Sequence, residues 1–193
     1  MRLSGCKIYW HHKPRRHGAM KHMHLKGTMY EIYHSEHDDQ WRYTLGTIGK
    51  RPLITIGLNP STATQEKLDN TVTKVEKVAQ QCGFDSFIML NLYPVRATDP
   101  QDLPPKADPV AYERNLEEIE KVIAQYPAPT IWAGWGELVM NRPYLYRARD
   151  ELFQRLAKYA PQWRRFGELT ANGHPRHPAS LSYSWTLEPY EPA

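Results

Sequence analysis

No acidic residue occurs in the first 26 positions, cysteine appears twice in 193 residues, and no apolar run is long enough to cross a bilayer. The longest such runs, 53–58 and 87–90, are broken early by polar or turn residues, which excludes a helical membrane span there. The N-terminus lacks the uninterrupted apolar stretch of a secretory leader, so a cytoplasmic protein with no membrane partner is expected. Cys6 and Cys82 stand in no spacing typical of zinc or redox sites, and no disulfide framework is expected. There is no P-loop, no dinucleotide fingerprint and no metal cluster, so no cofactor and no metal are implied.

What is present is an uneven charge distribution. The formal charge is +4, yet residues 1–26 carry seven Lys and Arg, which leaves the remainder slightly acidic. A basic arm on such a body suits a polyanion partner, because each cation near a phosphate releases a counterion. Residues 1–28 are therefore read as a basic arm, and 29–193 as one α/β domain. The arm's histidines (His11, His12, His17, His22 and His24) lack paired ligand spacing.

Beyond the arm, residues 30–45 read as a hairpin or irregular edge. Strands are expected at 53–58, 87–91, 130–133 and 166–170. Helices are expected from Asp69 to Gly83 on Val72, Val75, Val78 and Ala79, from Asp108-Pro109 on Tyr112, Leu116, Ile119 and Ile123, and over 146–159. This alternation predicts a three-layer α/β/α domain around a mainly parallel sheet of about four strands. In such sheets ligands bind beyond the carboxyl ends of the strands, which draws attention to 57–62, 91–100, 132–136 and 173–182.

Those segments carry Gly57-Leu58-Asn59-Pro60, Asn91 followed by Arg96-Ala97-Thr98-Asp99-Pro100, and His177-Pro178-Ala179-Ser180-Leu181-Ser182. In that order they resemble the signature turns of the uracil-DNA glycosylase superfamily. Residues 42–180 also resemble a bacterial and phage family of unassigned function that shares Arg42-Tyr43, the Leu58-to-Ser61 turn and the run from Asn91 to Pro100. The first resemblance implies that fold and a metal-independent glycosylase that removes a flipped base from DNA.

It also implies roles. Asn59 would place the attacking water, or cap its own turn. His177 would donate to the departing base, or bond the loop backbone. Asp69 would cap its helix or supply a carboxylate to the pocket. Asn91, with Tyr93, Gly57 and Leu58, would form the base pocket, although Asn91 could equally close its strand. Ser61, Thr62, Arg96, Arg176, Ser180 and Ser182 would contact DNA, with Leu181 as the wedge that fills the stack, or they would serve turns and core. The ring that stacks on the base has no single candidate among Trp132, Trp135, Tyr93 and Tyr43, which leaves room for a bulky modified pyrimidine, such as a hypermodified phage base. Two rival readings are a non-catalytic nucleic-acid binder and a hydrolase of free nucleotides or nucleosides.

Overall fold

The computed structural model describes residues 6–7, 29–67, 69–182 and 185–192. Most of the arm expected at 1–28 lies outside them.

The sheet grows from two strands that are buried along their whole length, β4 (Pro52–Gly57) and β5 (Ser86–Asn91). Side chains alternate across a strand, and here both faces are covered, so each strand reads as a nearly continuous apolar run. Leu53, Phe87 and Met89 face helix α1 (Asn70–Gln81), packing on Val72, Val75 and Ala79. Ile54, Ile56, Ile88 and Leu90 face the opposite layer, α2 (Pro109–Ile123) and α3 (Pro143–Leu156), through Leu116, Ile119, Leu145 and Leu152. Helix starts follow local chemistry. Asp69 accepts from Val72 N–H ahead of α1, and Asp108 accepts from Val110 and Ala111 N–H ahead of α2, where Pro109 loses no hydrogen bond.

The remaining strands are β1 (Cys6–Lys7), β2 (Ile32–Glu36), β3 (Trp41–Gly46), β6 (Thr130–Ala133), β7 (Gln162–Phe166) and β8 (Thr186–Pro189). The sheet order is β1-β8-β7-β6-β4-β5-β3-β2. This corrects the expected mainly parallel sheet of about four strands and, with it, the glycosylase-type architecture. The sheet has eight strands and is mixed: β4/β5, β4/β6 and β6/β7 are parallel, whereas β1/β8, β2/β3, β3/β5 and β7/β8 are antiparallel.

The physical reason lies in the connections. A parallel neighbour needs a crossover, usually a helix. Residues 37–40 are too few for one, and His37, Asp38 and Asp39 turn the chain back with φ of 53°, 52° and 64°. The 166–170 strand is also shifted, to Gln162–Phe166, because Arg165 does not end the strand but pairs with Glu188 of β8 at 3.3 Å. Helix α3 begins at Pro143, earlier than the periodicity over 146–159 implied, since proline is well placed at a helix N-terminus.

Cys6 of β1 and Cys82, the residue capping α1, form a disulfide with Cα atoms 5.5 Å apart, which overturns the expectation of none. Among the described residues no helix is long and apolar enough to cross a membrane.

The bridge closes a chain separation of 76 residues, for which loop-closure entropy suggests a stabilisation of about 4.5 kcal/mol. Cys82→Ser should therefore melt well below the oxidised wild type in a thermal scan, and dithiothreitol should lower the wild type to the variant's level without moving the variant.

Candidate functional site

β3 runs antiparallel to β5, so its first residues lie at the same sheet edge as the last residues of β4 and β5. The Trp41–Val95 bridge and the Arg42 N–H bond to Pro94 O mark that edge. There the chain leaves β4 through Asn59-Pro60, α1 begins at Asp69, β6 passes into Trp135-Gly136, and the loop after β7 returns with His177. Together these surround a cleft of about 560 Å³, within the range of small-molecule sites.

Of the fourteen residues singled out in the sequence, Leu58, Asn59, Ser61, Asp69, Arg176, His177 and Ser180 border this cleft. Asn59 and His177, far apart in the chain, both line it. Gly57, Thr62, Asn91, Tyr93, Arg96, Leu181 and Ser182 stand off its wall.

Asn59 is held firmly. Its Nδ2 donates to Pro60 O (2.9 Å) and Ala97 O (2.8 Å), so both amide hydrogens are engaged and the group left for a ligand is Oδ1, an acceptor. Behind it, Gly57 is closely packed: a Cβ would come within 2.6 Å of Met89 Cε and 2.9 Å of the Asn91 side-chain amide. Asn91 is fully buried; with its side-chain amide nitrogen oriented toward Leu90 O and Asn59 O, both 3.3 Å away, that side chain is satisfied within the protein, and its backbone carbonyl accepts from Asn115 Nδ2. It thus ties the strand end to the Asn59 turn. Tyr93 points elsewhere, accepting from Asp108 N–H at 2.9 Å and packing on Tyr144.

His177 heads a short 3₁₀ turn, Pro178–Ser180, and its Nδ1 accepts from Ala179 N–H at 3.2 Å. A neutral ring with Nδ1 as acceptor carries its proton on Nε2, which makes that atom a donor. Burial pushes the imidazole pKa down to about 4, against the pull of Asp69 and with the help of Lys74, so the ring is neutral at pH 7. The loop is seated closely. Lys74 of α1 donates to Ala179 O at 2.6 Å, and a Cβ on Gly136 (φ 74°) would lie 3.0 Å from His177 Cβ. Upstream, buried His174 bonds Tyr146 OH at 2.8 Å and anchors the loop to α3.

Asp69 serves both of its expected settings: Oδ1 caps α1 through Val72 N–H at 2.8 Å, and the residue borders the cleft. Arg176 donates Nε to Glu168 O (2.9 Å) and lies over the Trp185 ring. Arg96 has every guanidinium hydrogen directed at a protein acceptor. Thr62 and Ser180 are exposed, Leu181 packs partly buried beside the α1-side core, and Ser182 O accepts from Trp185 N–H. Of the four candidate stacking rings only Trp135 borders the cleft. It is anchored by T-shaped contacts with Phe153, Trp163 and Tyr190.

The sequence reading gave no site role to Arg42, Thr71, Glu137 or Thr170, all of which line the cleft. For Arg42 the sequence held a partial signal, since it belongs to the Arg42-Tyr43 pair shared with the family of unassigned function. Among the described residues no group of three or more His, Cys, Asp or Glu could hold a metal ion.

The family model described as "Protein of unknown function (DUF1643)" matches residues 42–179, a span that takes in Arg42, Asn59 and His177. No curated protein and no solved structure matches the chain.

Charging His177 must protonate Nδ1 and break its bond from Ala179 N–H. A histidine titrating near 4 when folded and near 6.5 when unfolded binds fewer protons in the native state, so its contribution to stability is complete above about pH 6.5 and is lost as pH falls toward 4. Denaturant melts should show wild type losing up to a few kcal/mol more than His177→Gln between pH 7 and 4.5. Equal slopes in the two proteins would contradict the neutral, partly buried ring.

Proposed function

The chain belongs to the DUF1643 family of proteins of unknown function, and from its cleft we propose that it is a DNA glycosylase acting on a pyrimidine nucleotide flipped out of the helix. The observation that carries this reading is the presence of Asn59 and His177 on one cleft, with an amide acceptor on the first and a neutral ring on the second. Hydrolysis of an N-glycosidic bond builds positive charge on the sugar and negative charge on the base, and these two groups answer both ends of that process. Asn59 Oδ1 accepts from the attacking water, whose oxygen bonds to C1′ as the bond from C1′ to N1 of the base breaks. The bonding pair leaves with the base, His177 Nε2–H donates to the base oxygen where charge collects, and the proton released by the water ends on the base.

The resemblance of the Asn59 and His177 turns to those of the uracil-DNA glycosylase superfamily supports the reading at the level of the motifs, and the mixed sheet is not part of the claim. Ser61, Ser180 and Arg176 border the cleft and would contact flanking phosphates, and the basic residues of 1–26 add sequence-independent attraction to DNA. The cleft's volume has room for a pyrimidine with an enlarged 5-substituent, including a glucosylated hydroxymethylcytosine.

Duplexes and single strands carrying uracil, mispaired thymine, hydroxymethylcytosine or its glucosylated form, treated with protein and then with hot alkali, should break at one or more of these bases. Asn59→Ala and His177→Ala should each slow release by about 100-fold or more. Intact strands throughout, or fully active variants, would overturn the proposal. Release from free nucleotides that survives removal of residues 1–26 would point instead to a small-molecule hydrolase.

A further inference from the structure

Two arginines meet at the Ala63 carbonyl, and their donors are used very differently. Arg96 places Nε on Asp39 O, Nη1 on Ser61 O and Ala63 O, and Nη2 on Tyr33 OH and the Asp39 carboxylate, which accounts for all five of its hydrogens. Arg42 is 1% exposed and gives Nη1 to Ala63 O at 3.1 Å, while its buried Nε has no partner. Among the described residues no carboxylate lies within ion-pair distance of it, and Asp69, the carboxylate whose charge acts on it most, is committed through Oδ1 to Val72 N–H. Burial and the neighbouring Arg96 depress its pKa to about 10, so it remains charged at neutral pH. A desolvated cation with unused donors is costly unless an acceptor reaches it, and the side from which one can arrive is the cleft that Arg42 lines.

Resting on the glycosylase reading, we propose that Arg42 reads the flipped base, offering its free donors to the O2 and N3 acceptor pair of a cytosine-type pyrimidine. Arginine has donors only. Cytosine presents two adjacent acceptors on this edge, whereas uracil and thymine interpose an N3–H that would face a donor and leave both unpaired. Asn91, whose amide could have suited either base, is sealed behind the Asn59 turn and off the cleft wall. O2 and N3 are also atoms over which the departing cytosine spreads its negative charge, so the guanidinium stabilises the leaving group beside His177. Uracil gains less, because its N3 remains protonated.

The test compares full-length wild type, Arg42→Lys and Arg42→Gln on matched DNAs carrying cytosine, hydroxymethylcytosine, glucosylated hydroxymethylcytosine and uracil. Its readout is the ratio of kcat/KM for the best cytosine-type base over uracil, which does not depend on the folded fraction of a preparation. Wild type should favour the cytosine-type base by about 100-fold or more. Arg42→Lys keeps the charge without the fork and should release that base about 10-fold more slowly. Arg42→Gln, with one donor group and one acceptor, should bring the ratio toward one. Uracil released as fast as every cytosine-type base would overturn this role for Arg42 while leaving the glycosylase standing. Equal loss on all bases in Arg42→Gln, with the ratio unchanged, would assign Arg42 to a phosphate or to the fold and overturn it too. Release from none of the DNAs would end the glycosylase reading and this proposal together.

Discussion

The guanidinium of Arg96 joins three segments that backbone bonds such as Arg96 N–H to Gln40 O and Ala97 N–H to Pro60 O also bring together. It reaches the β2–β3 turn through Asp39 and the loop after β4 through Ser61 and Ala63, from a position just past the end of β5. The Asp39 carboxyl loses solvent by this burial, yet hydrogen bonds from Tyr33 and Arg96 hold it below the usual carboxylate range, so the pair stays ionised. Because all five donors are satisfied, the desolvation of the cation is offset inside the protein, and the loop that carries Asn59 onward to Ala63 is fixed in place. The Ala63 carbonyl so positioned is also the one that Arg42 bonds. A residue that reads in isolation as a phosphate contact is therefore the frame of the cleft, and its neighbour is the cation that faces it.

The same economy governs Asn59 and His177. Each uses one end of its side chain on nearby backbone, Asn59 through Nδ2 and His177 through Nδ1. What remains for a ligand is then chemically single: an acceptor on one, a donor on the other. A side chain anchored in this way loses little rotational freedom when a ligand binds and presents its free atom in a fixed direction. The expected structural role and the proposed chemical one are, for these residues, two ends of the same group. Asp69 follows the pattern with its helix cap.

The strand ends were legible because they depend on local chemistry. Proline after Asn59 must stop a strand, Asp69 and Asp108 must cap helices, and the apolar runs of β4 and β5 announce burial on both faces. The outer strands were legible only in part. The hairpin expected at 30–45 is there as β2 and β3, but Gln162–Phe166, with two arginines, is half-buried, so the period of two is blurred and its pairing depends on cross-strand partners such as Arg165 and Glu188. The Cys6–Cys82 bridge was equally hidden, since residues 76 apart carry no spacing signal.

By itself, then, the sequence determined the local grammar: where helices start, where buried strands stop, and which polar residues stand at those stops. Only the tertiary structure decided which of them share a cleft. Asn91 and Asn59 stand at the ends of adjacent parallel strands and carry the same amide, yet one is sealed beneath the other's turn, while Arg42 reaches the cleft because its strand, expected only as part of a hairpin or edge, pairs antiparallel with β5. Whether a side chain faces ligand or protein depends on which donors and acceptors other segments bring to it, and those contacts exist only when the chain is folded.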